Sequence, residues 1–312
     1  MRTGLIVFTL AALCAAQDRT LHVVHIDDAQ QIQEIATLIQ AISGAHLVTA
    51  GKELSANGSA DQLALAGWLL NELDQPADHP PSPREYRLEG GGQNVVRIFY
   101  LPFTSNTQEL QEAVTLIRSL ANIRYMFTVD APKAMAMRGT ADQCALAEWL
   151  VGELAKPADS DATPYRMPDS EDDMAQVLRM PRTKTASELQ EIAVAIRTIG
   201  RIPRLFTYNP GQAIAVRGSS DQISLAQWLA QQLDHPGISN EHQMSEGPEN
   251  IVRVFYLPHT ASVAEFQKKV HYVRTHVDTK WTCTCNTPRA LVMRGTSAQI
   301  ALAQQLVAET VQ

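Results

Sequence analysis

The stretch RGTADQCALAEWL, residues 138–150, decides the fold because it occurs four times with small changes. The other copies are NGSADQLALAGWL from Asn57, RGSSDQISLAQWL from Arg217 and RGTSAQIALAQQL from Arg294. The glycine of the motif falls at residues 58, 139, 218 and 295. Recurrence at a long, nearly constant spacing is typical of an array of small domains. The sequence therefore predicts four related domains.

Whole segments around the motif are duplicated. Residues 95–154 align with residues 251–310 without a gap, and 25 of the 60 positions are identical, which indicates duplication. We predict repeat 1 at 20–74, repeat 2 at 95–154, repeat 3 at 174–234 and repeat 4 at 251–312. The segments 75–94, 155–173 and 235–250 are rich in Pro, Gly and acidic residues and are predicted to be exposed linkers.

Each repeat has the same predicted order of elements, seen best in repeat 2. VVRIFYLP (95–102) is strand-like, and TQELQEAVTLIRSL (107–120) has apolar residues at helical spacing. RYMFTVDAPKAMAMRG (124–139) alternates around a central turn and predicts a β-hairpin, after which the quoted motif begins a second helix. The fold class is therefore α+β, a tandem array of β-α-β-β-α domains, each with a three-stranded sheet and two helices.

The quoted motif is typical of a helix start rather than of an active site. A hydroxyl residue followed three positions later by Gln, just before an apolar helix, forms a capping box. The preceding glycine is expected to let the chain turn sharply out of the hairpin. The four predicted pairs are Ser59 with Gln62, Thr140 with Gln143, Ser219 with Gln222 and Thr296 with Gln299.

Other recurring side chains are candidates for contacts between domains. Trp68, Trp149 and Trp228 occupy one position of the second helix and are expected to pack in a core or between domains. Gln305 takes that position in repeat 4, as expected of a domain with no neighbour to cover. The predicted interface residues are Arg138, Arg217 and Arg294, which precede the motif glycine, and Tyr100 and Tyr256, which end the first strands.

Repeat 4 contains residue types that bind zinc: His271, His276, Cys283 and Cys285. Alignment with the other repeats places His276 and both cysteines at interior positions, so we predict no metal site. Cys144 also aligns with apolar residues, and no disulfide framework is indicated. His46 is expected to be at least half-buried. No catalytic or cofactor-binding motif is found, and no cofactor is predicted.

Composition and charge limit the functional classes. The 312-residue chain is 45% hydrophobic and 19% charged, as in globular proteins, and its net charge is -7. An acidic chain is a poor partner for nucleic acid or an acidic membrane surface. MRTGLIVFTLAALCAA (1–16) predicts a signal peptide, shorter than the about 20 residues of a membrane span. A lipoprotein signal at Cys14 is the weaker alternative, so the protein is expected to be periplasmic or secreted, without a span of its own.

Taken together, these features resemble the short N-terminal domains of bacterial secretins, the NolW-like domains. The resemblance rests on the β-α-β-β-α unit, the FYLP strand end (99–102), the RG pair that leaves the hairpin and the LAxWL helix. It implies periplasmic domains that build rings and contact secretion components, without catalysis. The long alternating strands of a secretin pore are not found in this sequence, so we expect this chain not to be the channel.

Three functional hypotheses follow. The first is a non-enzymatic extracytoplasmic interaction protein or ring scaffold, whose partners are copies of itself or envelope and secretion components. Its contacts are expected at sheet edges and at any apolar sheet face that the helices leave bare. The alternative is a periplasmic binder of a small ligand or glycan, or an enzyme, with a site between domains. A nucleic-acid binder of KH type is disfavoured because the GxxG clamp and a basic surface are missing.

Overall fold

The computed structural model describes residues 16–76, 82–89, 92–157, 160, 163–237, 241–245 and 247–309. All but the last residue of the predicted signal peptide, 1–16, lie outside the described residues. In the described part of the chain, no helix has both the length and the apolar character needed to cross a bilayer.

Repeat 1 is the simplest unit. Its elements are β1 (Gln17–His22), α1 (Ala29–Ser43), β2 (His46–Ala50), β3 (Glu53–Gly58) and α2 (Ala60–Leu73). The three strands form an antiparallel sheet in the order β1-β3-β2, so the hairpin β2–β3 lies beside the first strand.

The other three repeats have the same elements plus one additional strand each. Repeat 2 contains β4 (Arg84–Arg87), β5 (Val95–Tyr100), α3 (Thr107–Leu120), β6 (Tyr125–Val129), β7 (Ala134–Gly139) and α4 (Ala141–Ala155). Repeat 3 contains β8 (Tyr165–Arg166), β9 (Met174–Arg179), α5 (Ala186–Gly200), β10 (Arg204–Tyr208), β11 (Ala213–Gly218) and α6 (Ser220–Asp234). Repeat 4 contains β12 (Glu241–Gln243), β13 (Ile251–Tyr256), α7 (Val263–His276), β14 (Trp281–Cys285), β15 (Ala290–Gly295) and α8 (Ser297–Ala308).

The predicted α+β class and tandem order of elements are confirmed. The sheet orders are β4-β5-β7-β6, β8-β9-β11-β10 and β12-β13-β15-β14, and every pairing is antiparallel. The prediction of three strands per sheet is wrong for repeats 2 to 4, where β4, β8 and β12 add an edge strand. These strands come from the segments predicted to be exposed linkers.

The added strands are held by a hydrogen bond that recurs in all three. The amide of the residue after each added strand donates to the carbonyl of the residue just before the next strand. The three bonds are Leu88 N to Asn94 O at 2.8 Å, Met167 N to Asp173 O at 2.9 Å and Met244 N to Asn250 O at 2.7 Å. Strands of two to four residues are too short to show an alternating pattern, which explains why sequence analysis missed them.

The motif tryptophans pack against these added strands. Each indole lies against an aromatic ring of the strand that follows in sequence, with centroids 5.3 to 5.5 Å apart. The pairs are Trp68 with Tyr86, Trp149 with Tyr165 and Trp228 with His242. The second helix of one repeat is thus tied to the first strand of the next.

Packing divides the chain into two compact units: Met1–Tyr100 with Tyr125–Thr140, and Leu101–Arg124 with Ala141–Gln312. In unit 1, α1 and α2 share a core with residues of the β4–β7 sheet. In unit 2, α5 and α6 share one core with their own sheet and with residues of the β12–β15 sheet, and α7 and α8 form a second core with the opposite face of that sheet.

Both faces of the sheet in repeat 4 are apolar. Val252 and Val254 of β13 belong to the core shared with repeat 3, whereas Phe255 belongs to the core with α7 and α8. Because successive strand residues point to opposite faces, one strand serves both cores. The second sheet face, which the sequence suggested as a bare surface for partners, is therefore covered by the helices of the preceding repeat.

The motif glutamine makes contacts at both ends of its side chain. In repeat 3, Gln222 Oε1 accepts from Ser219 N at 3.0 Å while Ser219 Oγ accepts from Gln222 N. Gln222 Nε2 donates to Gly200 O at the end of α5. Repeats 1 and 4 contain the same reciprocal cap, at Ser59 with Gln62 and at Thr296 with Gln299. In repeat 2, Gln143 Nε2 donates to Asn122 O at 2.7 Å, just after α3.

The motif glycine is required by this glutamine rather than by a turn. A Cβ on Gly218 would lie 2.4 Å from Gln222 Oε1, and the distances at Gly58 and Gly295 would both be 2.8 Å. The positive-φ glycines are at other positions, such as Gly44 and Gly51. The expectation that the glycine permits a sharp turn is therefore replaced by a close approach of the capping side chain.

We expect Gly218→Ala to lower the free energy of unfolding by about 1 kcal/mol, the typical value for a lost cap, because the Gln222 side chain must leave its position. Gly152→Ala is the control, since a Cβ at this exposed site in α4 meets nothing within 4 Å. It should be neutral or stabilising by up to about 1 kcal/mol. Urea unfolding monitored by circular dichroism gives both values. An equal cost of Gly218→Ala in a Gln222→Ala background would contradict the explanation.

Candidate functional site: the junctions between repeats

We use the term junction for the contact between the helices of one repeat and the sheet of the next. Junction 1, in unit 1, joins α1 and α2 to the β4–β7 sheet. Junctions 2 and 3, in unit 2, join α3 and α4 to the β8–β11 sheet, and α5 and α6 to the β12–β15 sheet. The recurring polar residues of the sequence lie at these junctions.

A glutamate of the first helix accepts hydrogen bonds from the hairpin turn of the next repeat. Glu191 of α5 accepts from Asn286 N at 2.6 Å and from Asn286 Nδ2 at 2.8 Å. Glu112 of α3 accepts from the same two groups of Asn209, at 3.2 Å from the backbone nitrogen. Glu34 of α1 accepts from Asp130 N at 3.4 Å. Sequence analysis did not find this contact, although glutamate at one helix position opposite Asn or Asp in the turn is visible in the aligned repeats.

Two of the three predicted interface arginines, Arg217 and Arg294, bind the ends of the same helices. Arg217 Nη1 donates to Leu120 O at 2.8 Å, and Arg294 Nη1 donates to Ile199 O at 3.2 Å. The last carbonyls of a helix have no partner within it and carry the negative end of its dipole, so a guanidinium is well suited to them. Arg138 Nε donates to Gln93 O at 3.0 Å, just before β5 of its own repeat.

The residue that ends the strand before the first helix, which is β5, β9 or β13, reaches the second helix of the preceding repeat. The Tyr100 hydroxyl donates to Glu72 O at 2.9 Å, and the Tyr256 hydroxyl donates to Gln232 O at 2.7 Å. Arg179 occupies this position in repeat 3 and donates to Glu153 O. Burial raises the pKa of both tyrosines above the usual value, so the hydroxyls remain donors near neutral pH.

These contacts give each junction a polar rim around an apolar centre. The predicted interface residues Tyr100, Tyr256, Arg217 and Arg294 are used inside the chain, between consecutive repeats. At junctions 2 and 3, carbonyls at the ends of both helices and the amide of the hairpin turn accept or donate hydrogen bonds across the junction. Since such partners must lie at fixed positions, the rim sets the register between one repeat and the next.

The cysteines of repeat 4 face junction 3, and the histidines do not join them. Cys283 and Cys285 are buried in the core shared with repeat 3, whereas His271 and His276 are exposed on α7. The prediction that His276 fills an interior position is therefore wrong. Among the described residues, no three His, Cys, Asp or Glu side chains come together as a metal-binding group.

His46 is also exposed, in contrast to the expectation of burial. The hairpin of repeat 1 has a two-residue turn, where repeat 2 has four residues between β6 and β7. Strand pairing consequently aligns His46 with Tyr125 and not with Phe127.

A polar cleft of about 620 Å³ lies beside junction 3, and two serines that line it donate to carboxylates of the chain. At the start of α6, the Ser220 amide and hydroxyl both donate to Asp172 Oδ1, at 2.7 and 2.8 Å. The Ser245 amide and hydroxyl donate to Asp221 in the same way. Arg201 lies over the Trp281 ring at 5.2 Å. These hydrogen bonds attach the segments 155–173 and 235–250, which connect the repeats, to α6.

Comparison with known proteins gives structural matches. No protein-family model matches the chain, and no curated protein matches it. The chain is similar to the N-terminal domain of the secretin XcpQ from Pseudomonas aeruginosa, at 13% identity and a TM-score of 0.20, over 45% of this chain and 62% of that one. It is also similar to Aeromonas hydrophila ExeD, at 17% identity and a TM-score of 0.17, over 68% of this chain and 40% of that one. This chain thus spans less than two thirds of either structure.

We expect Glu191→Ala to weaken junction 3 by about 1 kcal/mol, because the Asn286 amide loses a charged acceptor. Native-state hydrogen exchange of that amide should become about fivefold faster. Gln190→Ala, an exposed change at the neighbouring position of α5, is the control and should leave the rate unchanged. Equal exchange in all three proteins would show that the glutamate does not hold the turn.

The buried thiols predict low reactivity. Burial raises the pKa of Cys283, and that of Cys285 still further, so both remain protonated well above neutral pH. In residues 17–312, labelling by a thiol reagent should therefore be slow from pH 7 to pH 9 and complete only in denaturant. Fast labelling of either residue at pH 7 would contradict this assignment.

Proposed function

We propose that this chain is a non-enzymatic, extracytoplasmic scaffold that binds other proteins and belongs to a secretion machinery. The observation that carries the proposal is the junction. A glutamate of the first helix accepts from the next hairpin turn at all three junctions, and an arginine holds the end of that helix at junctions 2 and 3, which supports a chain that holds its domains in a fixed order. The extracytoplasmic location rests on the predicted signal peptide, and the link to secretion rests on the resemblance to secretin N-terminal domains.

The residues that could carry chemistry support a structural role. Glu112 and Glu191 hold hairpin turns, Arg217 and Arg294 hold helix ends, and the motif hydroxyls cap helices. A catalytic base or nucleophile needs a free, correctly charged group, whereas these groups are committed to hydrogen bonds. The protonated thiols of Cys283 and Cys285 are poor nucleophiles for the same reason that they pack well in a core.

Sheet edges supply surfaces for partners. In every described sheet, the first strand of the hairpin is at one edge: β2, β6, β10 and β14. An edge strand has backbone donors and acceptors on one side that can pair with a strand of another protein. An array repeats such an edge in each domain, which allows one chain to bind several partner strands or one partner at several points.

Affinity capture tests this function. Tagged residues 17–312 are incubated with an envelope extract of the producing cells, and retained proteins are identified and then reconstituted from purified components. We expect a few proteins retained in near-equimolar amount. The double variant Glu112→Lys, Glu191→Lys removes the acceptors of the hairpin turns at junctions 2 and 3, and it should no longer retain these proteins. The double variant Gln108→Lys, Gln190→Lys adds the same residue type at other positions of the same helices and should retain them.

Absence of any protein above an empty matrix would contradict the scaffold function. The purified chain would then be screened against small ligands and glycans, which the alternative hypothesis requires.

A further inference from the structure

In repeat 1, the sheet face that points away from the helices of the repeat is polar, whereas the same face is apolar in the other repeats. Strand pairing aligns Asp18 and Thr20 with Val96 and Ile98, which are buried in junction 1. The side chains of this face are all exposed. They are Asp18, Thr20, His22, Val48, Glu53, Ser55 and Asn57, and we call them the sheet face of repeat 1.

The outward helix face of repeat 4 is changed in the same way. Its α7 carries Lys268 and His276, which are exposed, and the partly exposed Tyr272, and we call these three residues the helix face of repeat 4. Lys269 beside them is buried and donates to Glu309 O. The residues of α5 that align with the helix face are Glu191, Ala195 and Ile199. The glutamate that holds a hairpin turn in three repeats is thus replaced by Lys268. In α8, Leu302 is 40% exposed, whereas the aligned Leu225 is fully buried.

The two faces belong to domains of opposite charge. Between residues 17 and 74 there are eight Asp and Glu against two Lys and Arg. Between residues 251 and 312 there are seven Lys and Arg against three Asp and Glu. The chain as a whole is acidic, at -7, so the positive charge of repeat 4 is a local feature. Opposite local charges favour encounter between the two domains in different molecules.

We propose that the helix face of repeat 4 binds the sheet face of repeat 1 of a second copy of this chain. As in the three junctions, the helices of one repeat contact the sheet of another. The centre of this contact contains charged and polar residues, whereas the centre of each junction is apolar. It is a heterologous contact, which continues from copy to copy and forms a closed ring or an open filament.

Charges around the hairpin turn of repeat 1 suit this arrangement. In the three junctions, the turn lies next to the helix position that Lys268 occupies in repeat 4. In repeat 1 the turn carries Lys52, but Lys52 Nζ is paired with Asp27 at 2.5 Å and Glu53 follows directly. Around the turn, the two carboxylates of Asp27 and Glu53 therefore outnumber the one ammonium group of Lys52.

A junction held by charge differs from the apolar junctions in its response to salt. Exposed ion pairs are individually weak, and salt at 0.1 M screens charges that lie more than about 10 Å apart. Association of copies should therefore be reversible and weaken as salt rises, while the junctions within each chain persist.

Sedimentation velocity on residues 17–312 tests the proposal over a hundredfold range of protein concentration, in low salt and in high salt. We expect the sedimentation coefficient to rise with concentration in low salt and to stay at the monomer value in high salt. Lys268→Glu alone and Glu53→Lys alone should each abolish the rise. An equimolar mixture of the two single variants should recover the rise, because each helix face then meets a sheet face of opposite charge on the other variant and the two variants alternate.

Lys184→Glu makes the same charge change at an exposed site of repeat 3 and is the matched control, with association expected to be unchanged. Thermal unfolding by circular dichroism confirms that each variant is folded. A monomer at every concentration, association that ignores salt, or association that survives Lys268→Glu would each overturn the proposal. A monomer whose Lys268→Glu variant loses a captured envelope protein would assign the helix face to that protein instead. Capture of partners is measured separately, so the scaffold function can stand if self-association fails.

Discussion

The structure depends on one constraint: the sheets that follow repeat 1 are apolar on two faces, and a repeat has helices for only one of them. In repeat 4, the face bearing Val252 and Val254 is buried only because α5 and α6 of repeat 3 lie against it. Burial of apolar surface is the main favourable term in folding, so such a sheet gains stability from the domain before it. Within each compact unit, the repeats that share a junction are consequently coupled in their stability.

Polar rims then determine how the repeats fit. An apolar centre is tolerant of small shifts, because the hydrophobic effect has no direction. Hydrogen bonds are directional, and those from Arg294 to Ile199 O and from Tyr256 to Gln232 O hold two helix ends at once. Glu191, in the first half of α5, accepts from the hairpin turn. Three directional contacts at separate points of the junction orient one domain on the next.

Much of this fold could be predicted from local chemistry, because caps, turns and helical spacing are properties of neighbouring residues. The capping pair Ser219 and Gln222 is an example. Features that depend on the adjacent repeat were missed. His276 aligns with buried residues, yet it is exposed, since burial at that position requires the sheet of a following domain. The strand β12 has only three residues and lies in a segment whose composition predicts a linker. Its His242 packs against the Trp228 ring of the preceding repeat, a contact that no neighbouring residue in the sequence indicates.

Recurrence of the rim has a consequence for how such chains change in length. Since the acceptor on the first helix and the donors in the turn have the same chemistry at junctions 2 and 3, Glu112 matches Asn286 as well as it matches Asn209. Loss of repeat 3 by recombination would leave the helices of repeat 2 facing a sheet with compatible groups. Gain of a further internal copy would do the same. The number of domains can therefore vary in evolution by whole units, without the invention of a new interface each time.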